Sequence, residues 1–161
     1  MSLSNEYQFD FSELDELYRE VILDHYRNPR NKTFVDEADI RREGFNPFCG
    51  DSVVLQFRLV DGNRIKEIGY QGEGCSISQA SASMLTVLAK GKTLEEAYKI
   101  LELFRSVMHG TDITVENLEQ LGDLEALQGV RKFPVRIKCA LLAWSTLGEC
   151  IETVLGKIDN S

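Results

Sequence analysis

Long apolar runs are missing from this 161-residue chain. No stretch approaches the roughly 20 residues that a helix needs to cross a bilayer, so membrane-spanning helices are excluded. Positive charge is also short: 18 Lys and Arg stand against 26 Asp and Glu, a formal net of 18 − 26 = −8. Such a balance is unsuited to nucleic acid, where affinity comes from neutralising phosphates, and equally to anionic lipid surfaces. No nucleic acid and no membrane is therefore expected among the partners; a protein with a basic patch stays open. No internal repeat or low-complexity tract occurs. The acidic, polar N-terminus is unlike a secretory signal, which leads to an expected cytoplasmic location, where disulfides are rare. Cysteine is limited to four residues. In that compartment they read as metal ligands, reactive thiols or core fillers before they read as bridges.

What is present suits one soluble domain over residues 1–161, long enough to bury a core without staples. Residues 1–10 form a lead-in expected to be flexible. A helix follows, capped by Ser12 and ended by Asn28-Pro29, with Leu14, Leu17, Tyr18, Val21, Ile22 and His25 on one stripe. His25 extends that stripe as a packed or surface residue. Residues 30–46 are polar and are expected to be an irregular connection. From Ser52 the period changes: Leu55, Phe57 and Leu59 alternate with Gln56 and Arg58, Asp61-Gly62-Asn63 turns the chain, and Ile65 to Tyr70 returns. Gly72-Glu73-Gly74 breaks this second strand. The small residues after Cys75 predict a close-packed helix capped by Ser76 or Ser78 and ended by Gly91. Thr93-Leu94-Glu95-Glu96 is a capping box that opens a helix running towards Met108. Between residues 111 and 133, Thr114 to Leu121 and Asp123 to Gln128 are two candidate short helices, with Gly122 and Gly129 as breaks. Pro134 then starts a long C-terminal helix through about Lys157. The fold class is α+β: a small antiparallel β-sheet packed against helices.

The chemistry gathers on Asn46-Pro47-Phe48-Cys49-Gly50-Asp51. Pro47 fixes one backbone angle and Gly50 permits unusual ones, so this turn can aim Cys49 and Asp51 at one point. Cys49 precedes the first predicted strand and Cys75 follows the second, and in an antiparallel hairpin those two points are neighbours. Cys75 also opens a helix, where the dipole favours thiolate. Cys139 and Cys150 lie 150 − 139 = 11 residues apart on the last helix, on one face. At about 1.5 Å per residue they are about 16 Å apart, and a zinc–thiolate bond is about 2.3 Å, so one ion cannot hold both. Cys150 is expected to be a core residue. Cys49, Cys75 and Cys139 are the candidate metal-binding thiols. Asp51 is either a fourth ligand or a turn carboxylate, and His109 is a competing ligand or a surface residue. Three thiolates and one carboxylate around a divalent zinc leave a net charge of −2, for which Arg136 and Lys138 are available counter-charges. Soft thiolates accept zinc or an iron–sulfur cluster, and the residues alone leave that choice open.

Asn46-Pro47-Phe48-Cys49-Gly50-Asp51, Gly72-Glu73-Gly74-Cys75-Ser76-Ile77-Ser78 and Arg136-Ile137-Lys138-Cys139 resemble the three cysteine motifs of the IscU/NifU-N-terminal-like family. Three motifs in order over nearly the whole chain make the resemblance specific. Within the family the chain is similar to the SufU branch: Lys138 stands where the IscU branch has histidine, and Phe133-Pro134-Val135 has one proline where IscU has two. The step of 139 − 75 = 64 residues between the second and third cysteines also fits a SufU-type insertion, placed around residues 111–133. The resemblance implies a metal site at the sheet end with Cys49, Asp51, Cys75 and Cys139 as Zn2+ ligands, Cys49 as sulfur acceptor and Arg136 as a neighbouring group. It implies a zinc-dependent sulfurtransferase of iron–sulfur cluster assembly, with a SufS-type cysteine desulfurase and downstream Suf cluster-assembly proteins as partners. The alternative within the same resemblance is a scaffold on which a transient iron–sulfur cluster is built and transferred.

Overall fold

A computed structural model describes residues 15–112 and 114–155. The first helix, α1, spans Glu16–Arg27 and is capped by Asp15, whose side chain accepts from the Leu17 N–H at 2.9 Å. The expected Ser12 cap lies outside the described residues, as do residues 1–10. Asn28 ends α1, as its proline neighbour requires.

Three strands form one antiparallel sheet in the order β1 (Ile40–Asn46), β2 (Asp51–Val60), β3 (Arg64–Glu73). β2 is the centre strand, and its alternation decides which face is buried. Val53, Leu55 and Phe57 point into the core, while Val54, Gln56 and Arg58 face the other side. A register shift between Arg58 and Leu59 leaves Leu59 only partly buried. β3 runs further than expected, through Gly72 to Glu73, because Ser52, Val53 and Val54 continue to pair with Glu73, Gly72 and Gln71.

β1 is a correction to the sequence reading, which assigned residues 30–46 to an irregular connection. The strand reads Ile-Arg-Arg-Glu-Gly-Phe-Asn, with Gly44 and Asn46 turned inward and Phe45 outward. Ile40 is the one apolar residue on its inward face, too few for a period-2 signal. It is specified instead by edge pairing with β2, from Ile40↔Phe57 to Asn46↔Asp51, and by the packing of the last helix on it.

Helix α2 (Ser76–Ala89) is buried on nearly every face. Small side chains make that possible: Ser81 donates its hydroxyl to the Ala140 carbonyl at 2.6 Å, pinning α2 to the C-terminal helix α5 (Pro134–Leu155). Helix α3 (Leu94–Met108) opens on the expected capping box, with Glu96 N–H to Thr93 Oγ1 and Thr93 N–H to Glu96 Oε1 both made. The core closes around Trp144, Phe104, Tyr70, Phe57 and Leu55, all nearly without exposure, and the Phe104 and Trp144 rings meet at 5.8 Å. Each such side chain contributes about 1.5–3 kcal/mol by leaving water.

The segment between α3 and α5 holds α4 (Val115–Gln120), capped by Thr114, and a 3-10 helix over Gly122–Lys132. Gly122 separates the two, but Gly129 does not break the second. That 3-10 helix continues because Leu124, Ala126, Leu127 and Val130 are buried along it, outweighing the poor hydrogen-bond geometry that keeps most such helices short. It is anchored to the body by His25. His25 Nε2–H donates to Asp123 at 2.7 Å, and the Ser83 hydroxyl donates to Nδ1 at 2.8 Å. His25 is thus a buried clamp between α1, α2 and this segment. Ser83 is eight residues along α2 from Cys75, about 12 Å of helix, which keeps His25 remote from the thiols.

Candidate metal centre

Three elements converge at one end of the sheet. The β1–β2 turn carries Cys49 and leads into Asp51, the first residue of β2. The end of β3 delivers Cys75, and the second turn of α5 delivers Cys139. Strand pairing explains the first convergence, since Ser52 opposite Glu73 places the start of β2 beside the end of β3. The Ser81–Ala140 bond explains the second, because it holds α5 against α2 one residue past Cys139.

The ligand atoms of Cys49, Asp51 and Cys139 lie within 4.8 Å of one another, all buried, a group that could hold a metal ion. Two bonds of about 2.3 Å at the tetrahedral angle set donors about 3.8 Å apart, so donors grouped within 4.8 Å reach one ion by small side-chain shifts. The Cys139 thiol donates to Cys49 Sγ at 2.9 Å. Cys75 is outside that mutual set but adjoins it through its backbone: its N–H donates to Asp51 Oδ1 at 2.9 Å. The neighbouring Cys139 thiol, with Ser78 and Arg136 assisting against burial, draws the Cys75 thiol down to about 7. Cys139 is driven strongly upward by the neighbouring Cys75 and by burial.

Asp51 is fully buried, and the backbone around it leaves no slack. Gly74 packs against it so closely that a Cβ there would run into Oδ1, 2.9 Å from Asp51 Cγ and 2.7 Å from Ser78 Oγ. Arg136 supplies positive charge, with Nη1 3.9 Å from Cys49 Sγ and 4.0 Å from Cys139 Sγ. Burial works against its charge, but the Cys75 charge and the Cys139 bond outweigh it and raise the guanidinium pKa. Lys138, the other expected counter-charge, turns away: its Nζ sits 4.4 Å from the centre of the exposed Phe48 ring.

The other candidates fall elsewhere. His109 is the exposed C-cap of α3, its Nδ1–H donating to the Arg105 carbonyl at 2.8 Å, and is no part of the cluster. Cys150 is buried, and burial pushes its thiol up to about 11. The expected caps Ser76 and Ser78 are inside α2, whose N-cap is Cys75 itself, with no side-chain cap bond. Ser78 donates its hydroxyl back to the Cys75 carbonyl at 3.1 Å, so this serine serves the thiol residue and not the helix end. One neighbour had no role in the sequence reading: Asn46, buried, whose Nδ2 lies 3.5 Å from Asp51 Oδ2 and 3.7 Å from Cys139 Sγ. The only local signal for it was the Asn-Pro turn start.

Comparison with known proteins agrees with this fold. The profile of the NifU-like N terminal domain matches residues 17–157. The chain is 49% identical over 134 residues to the zinc-dependent sulfurtransferase SufU of Bacillus subtilis, covering 83% of this chain and 88% of that protein. It is 38% identical over 141 residues to the iron–sulfur cluster assembly scaffold protein IscU of Streptococcus pyogenes, covering 88% and 86%. Among solved structures, a putative iron–sulfur cluster assembly scaffold protein for the SUF system from Fervidobacterium islandicum superposes with a TM-score of 0.78 at 31% identity, covering 89% of this chain and 99% of that one. With the fold, the converging thiols and these relatives in agreement, the chain belongs to the NifU-like N terminal domain family.

Proposed function

We propose that the chain acts in iron–sulfur cluster assembly as a zinc-dependent sulfurtransferase, receiving sulfur from a SufS-type cysteine desulfurase and passing it to downstream Suf proteins. The observation that carries this reading is the position of Cys49 within the cluster. It lies on the β1–β2 turn, is followed by Gly50 at φ 68°, and is 9% exposed, against 3% for Cys75 and none for Cys139. Cys75 and Cys139 are held by helix starts. Cys49 is the thiol that a small rearrangement of one turn can release.

Cys49, Asp51, Cys75 and Cys139 would hold the Zn2+, a donor set that suits it, since zinc takes thiolate and carboxylate together in tetrahedral sites. Bound zinc would commit the sulfur lone pairs and so keep the thiols unreactive. Once free, the Cys49 thiolate attacks the outer sulfur of the desulfurase persulfide. A new S–S bond forms at Cys49, the donor S–S bond breaks, and the donor cysteine leaves as thiolate, so no external oxidant or reductant is needed. Arg136, reaching both Cys49 and Cys139, stabilises the negative sulfur as it forms. Four protein donors leave no position for a water nucleophile, which sets a hydrolytic role aside.

Two measurements test this. Protein purified without added metal should contain one zinc per chain and no sulfide. Replacing Cys49 with Ala should abolish stimulation of desulfurase turnover while zinc remains bound; undiminished stimulation sinks the acceptor role. The second reading, a scaffold, draws on Asp51, the one hard donor among soft ones, as a labile ligand for the cluster it carries. On that reading Asp51→Ala traps an iron–sulfur cluster after anaerobic reconstitution, and an empty variant argues against it.

A further inference from the structure

We propose that Asn46 is a positioning residue of this centre, holding Asp51 and Cys139 in place while the neighbouring turn moves; the inference rests on reading the cluster as a metal site. Three contacts define it. Asn46 Oδ1 accepts the Phe48 N–H at 3.2 Å, and its backbone carbonyl accepts the Cys49 N–H at 3.3 Å. With Oδ1 engaged by a donor, the amide cannot be turned over, so Nδ2 must face the remaining neighbours. Those are acceptors: Asp51 Oδ2 at 3.5 Å and, for the second N–H, the sulfur of Cys139 at 3.7 Å. The flip state is therefore set by the network and not by choice of label.

Asp51 then has one oxygen assigned to each side. Oδ1 belongs to the Cys75 N–H, and Oδ2 lies toward Asn46 and the thiols. A buried carboxylate restrained in this way offers one oxygen in a defined direction, as the outer partners of metal ligands do elsewhere. Backbone pairing adds to the restraint, because Asn46 is the register partner of Asp51 at the closing pair of β1 and β2. Asn46 thus stands where the movable and fixed parts of the centre meet. Its carbonyls hold the turn that carries Cys49, and its amide N–H groups hold Asp51 and Cys139.

The turn role and the donor role separate experimentally. Asn46→Asp keeps an acceptor for the Phe48 N–H but replaces the amide donor with a carboxylate facing Asp51. Asn46→Ser keeps a short acceptor for the turn and reaches neither Asp51 nor Cys139, without added charge. The full chain and both variants are loaded with Co2+ for the sulfur-to-cobalt charge-transfer spectrum and with Zn2+ for transfer to a chromophoric chelator. Both variants should bind zinc about 10- to 100-fold more weakly than the parent, and both should shift the charge-transfer band, since an N–H to sulfur contact is lost. Variants that match the parent in spectrum and chelator transfer overturn the inference alone. If both lose their fold outright, it is overturned as well, because Asn46 would then serve the stability of the fold and not the placement of Asp51 and Cys139. A parent chain that takes up neither metal overturns the metal reading itself.

Discussion

Gly74→Ala places a single methyl group on the tightest contact of the centre. At Gly74 φ is 154°, and the added Cβ would overlap Asp51 Oδ1 and lie 2.7 Å from Ser78 Oγ. Backbone strain of this kind costs about 1–3 kcal/mol. Asp51 must also swing aside, which breaks its bond from the buried Cys75 N–H and leaves that donor unmet, a further cost of about 1–3 kcal/mol. The sum, about 2–6 kcal/mol, is a large share of the roughly 5–15 kcal/mol that holds a domain folded. For a chain of this size it lowers Tm by roughly 5–20 °C. Circular-dichroism melts of the zinc-loaded protein, before and after chelation, measure it. The variant should also hold zinc more weakly, so chelation should lower its Tm less than that of the parent. Gly50→Ala is the control: its φ is 68° but nothing lies within 4 Å of a Cβ there, so only the backbone cost of about 1 kcal/mol applies. A Gly74→Ala protein that melts with the parent and keeps its zinc would refute the close packing of Gly74 on Asp51.

Arg136→Ala removes the guanidinium that reaches two sulfurs and should weaken zinc binding by about tenfold in chelator competition, with Arg136→Lys intermediate. Cys150→Ala should leave the zinc content unchanged. In the native parent at pH 8, Cys150 should resist thiol reagents, because a thiol raised to about 11 keeps only about a thousandth of its population as thiolate there. His25→Ala breaks the link from Ser83 to Asp123 and leaves a gap in the core. It should cost about 2–4 kcal/mol in denaturant melts with no loss of zinc, and a loss of zinc would mean that the clamp and the centre are coupled.

Much of the site was legible because it rests on local rules. A two-residue period and the Asp61-Gly62-Asn63 turn made a hairpin, and the hairpin sets the start of β2, just after Cys49, beside the end of β3, just before Cys75. The helical rise removed Cys150 from the set, and the observed burial of Cys150 agrees. Less legible were elements whose positions depend on what packs against them. β1 has only Ile40 as an apolar residue on its inward face, and the 3-10 helix runs through Gly129 because four buried side chains hold it down. The Ser76 and Ser78 caps failed for a similar reason: serine at a helix start is a local signal, but here the hydroxyl of Ser78 found the Cys75 carbonyl.

The amino-acid sequence by itself determined the family, through its three cysteine motifs, and the fold class, through periodicity and turns that act within reach of neighbouring residues; it put forward Cys49, Cys75 and Cys139 as candidate thiols. Only the tertiary structure decided which charges face those thiols. Arg136 and Lys138 are two residues apart on one helix, and nothing local tells which turns inward. Packing does: Arg136 reaches the sulfurs while Lys138 rests on Phe48. Asn46 came forward in the same way. Its amide matters through Asp51, its partner across the strand pair, and Cys139, ninety-three residues away, and that distance closes only when the chain is folded.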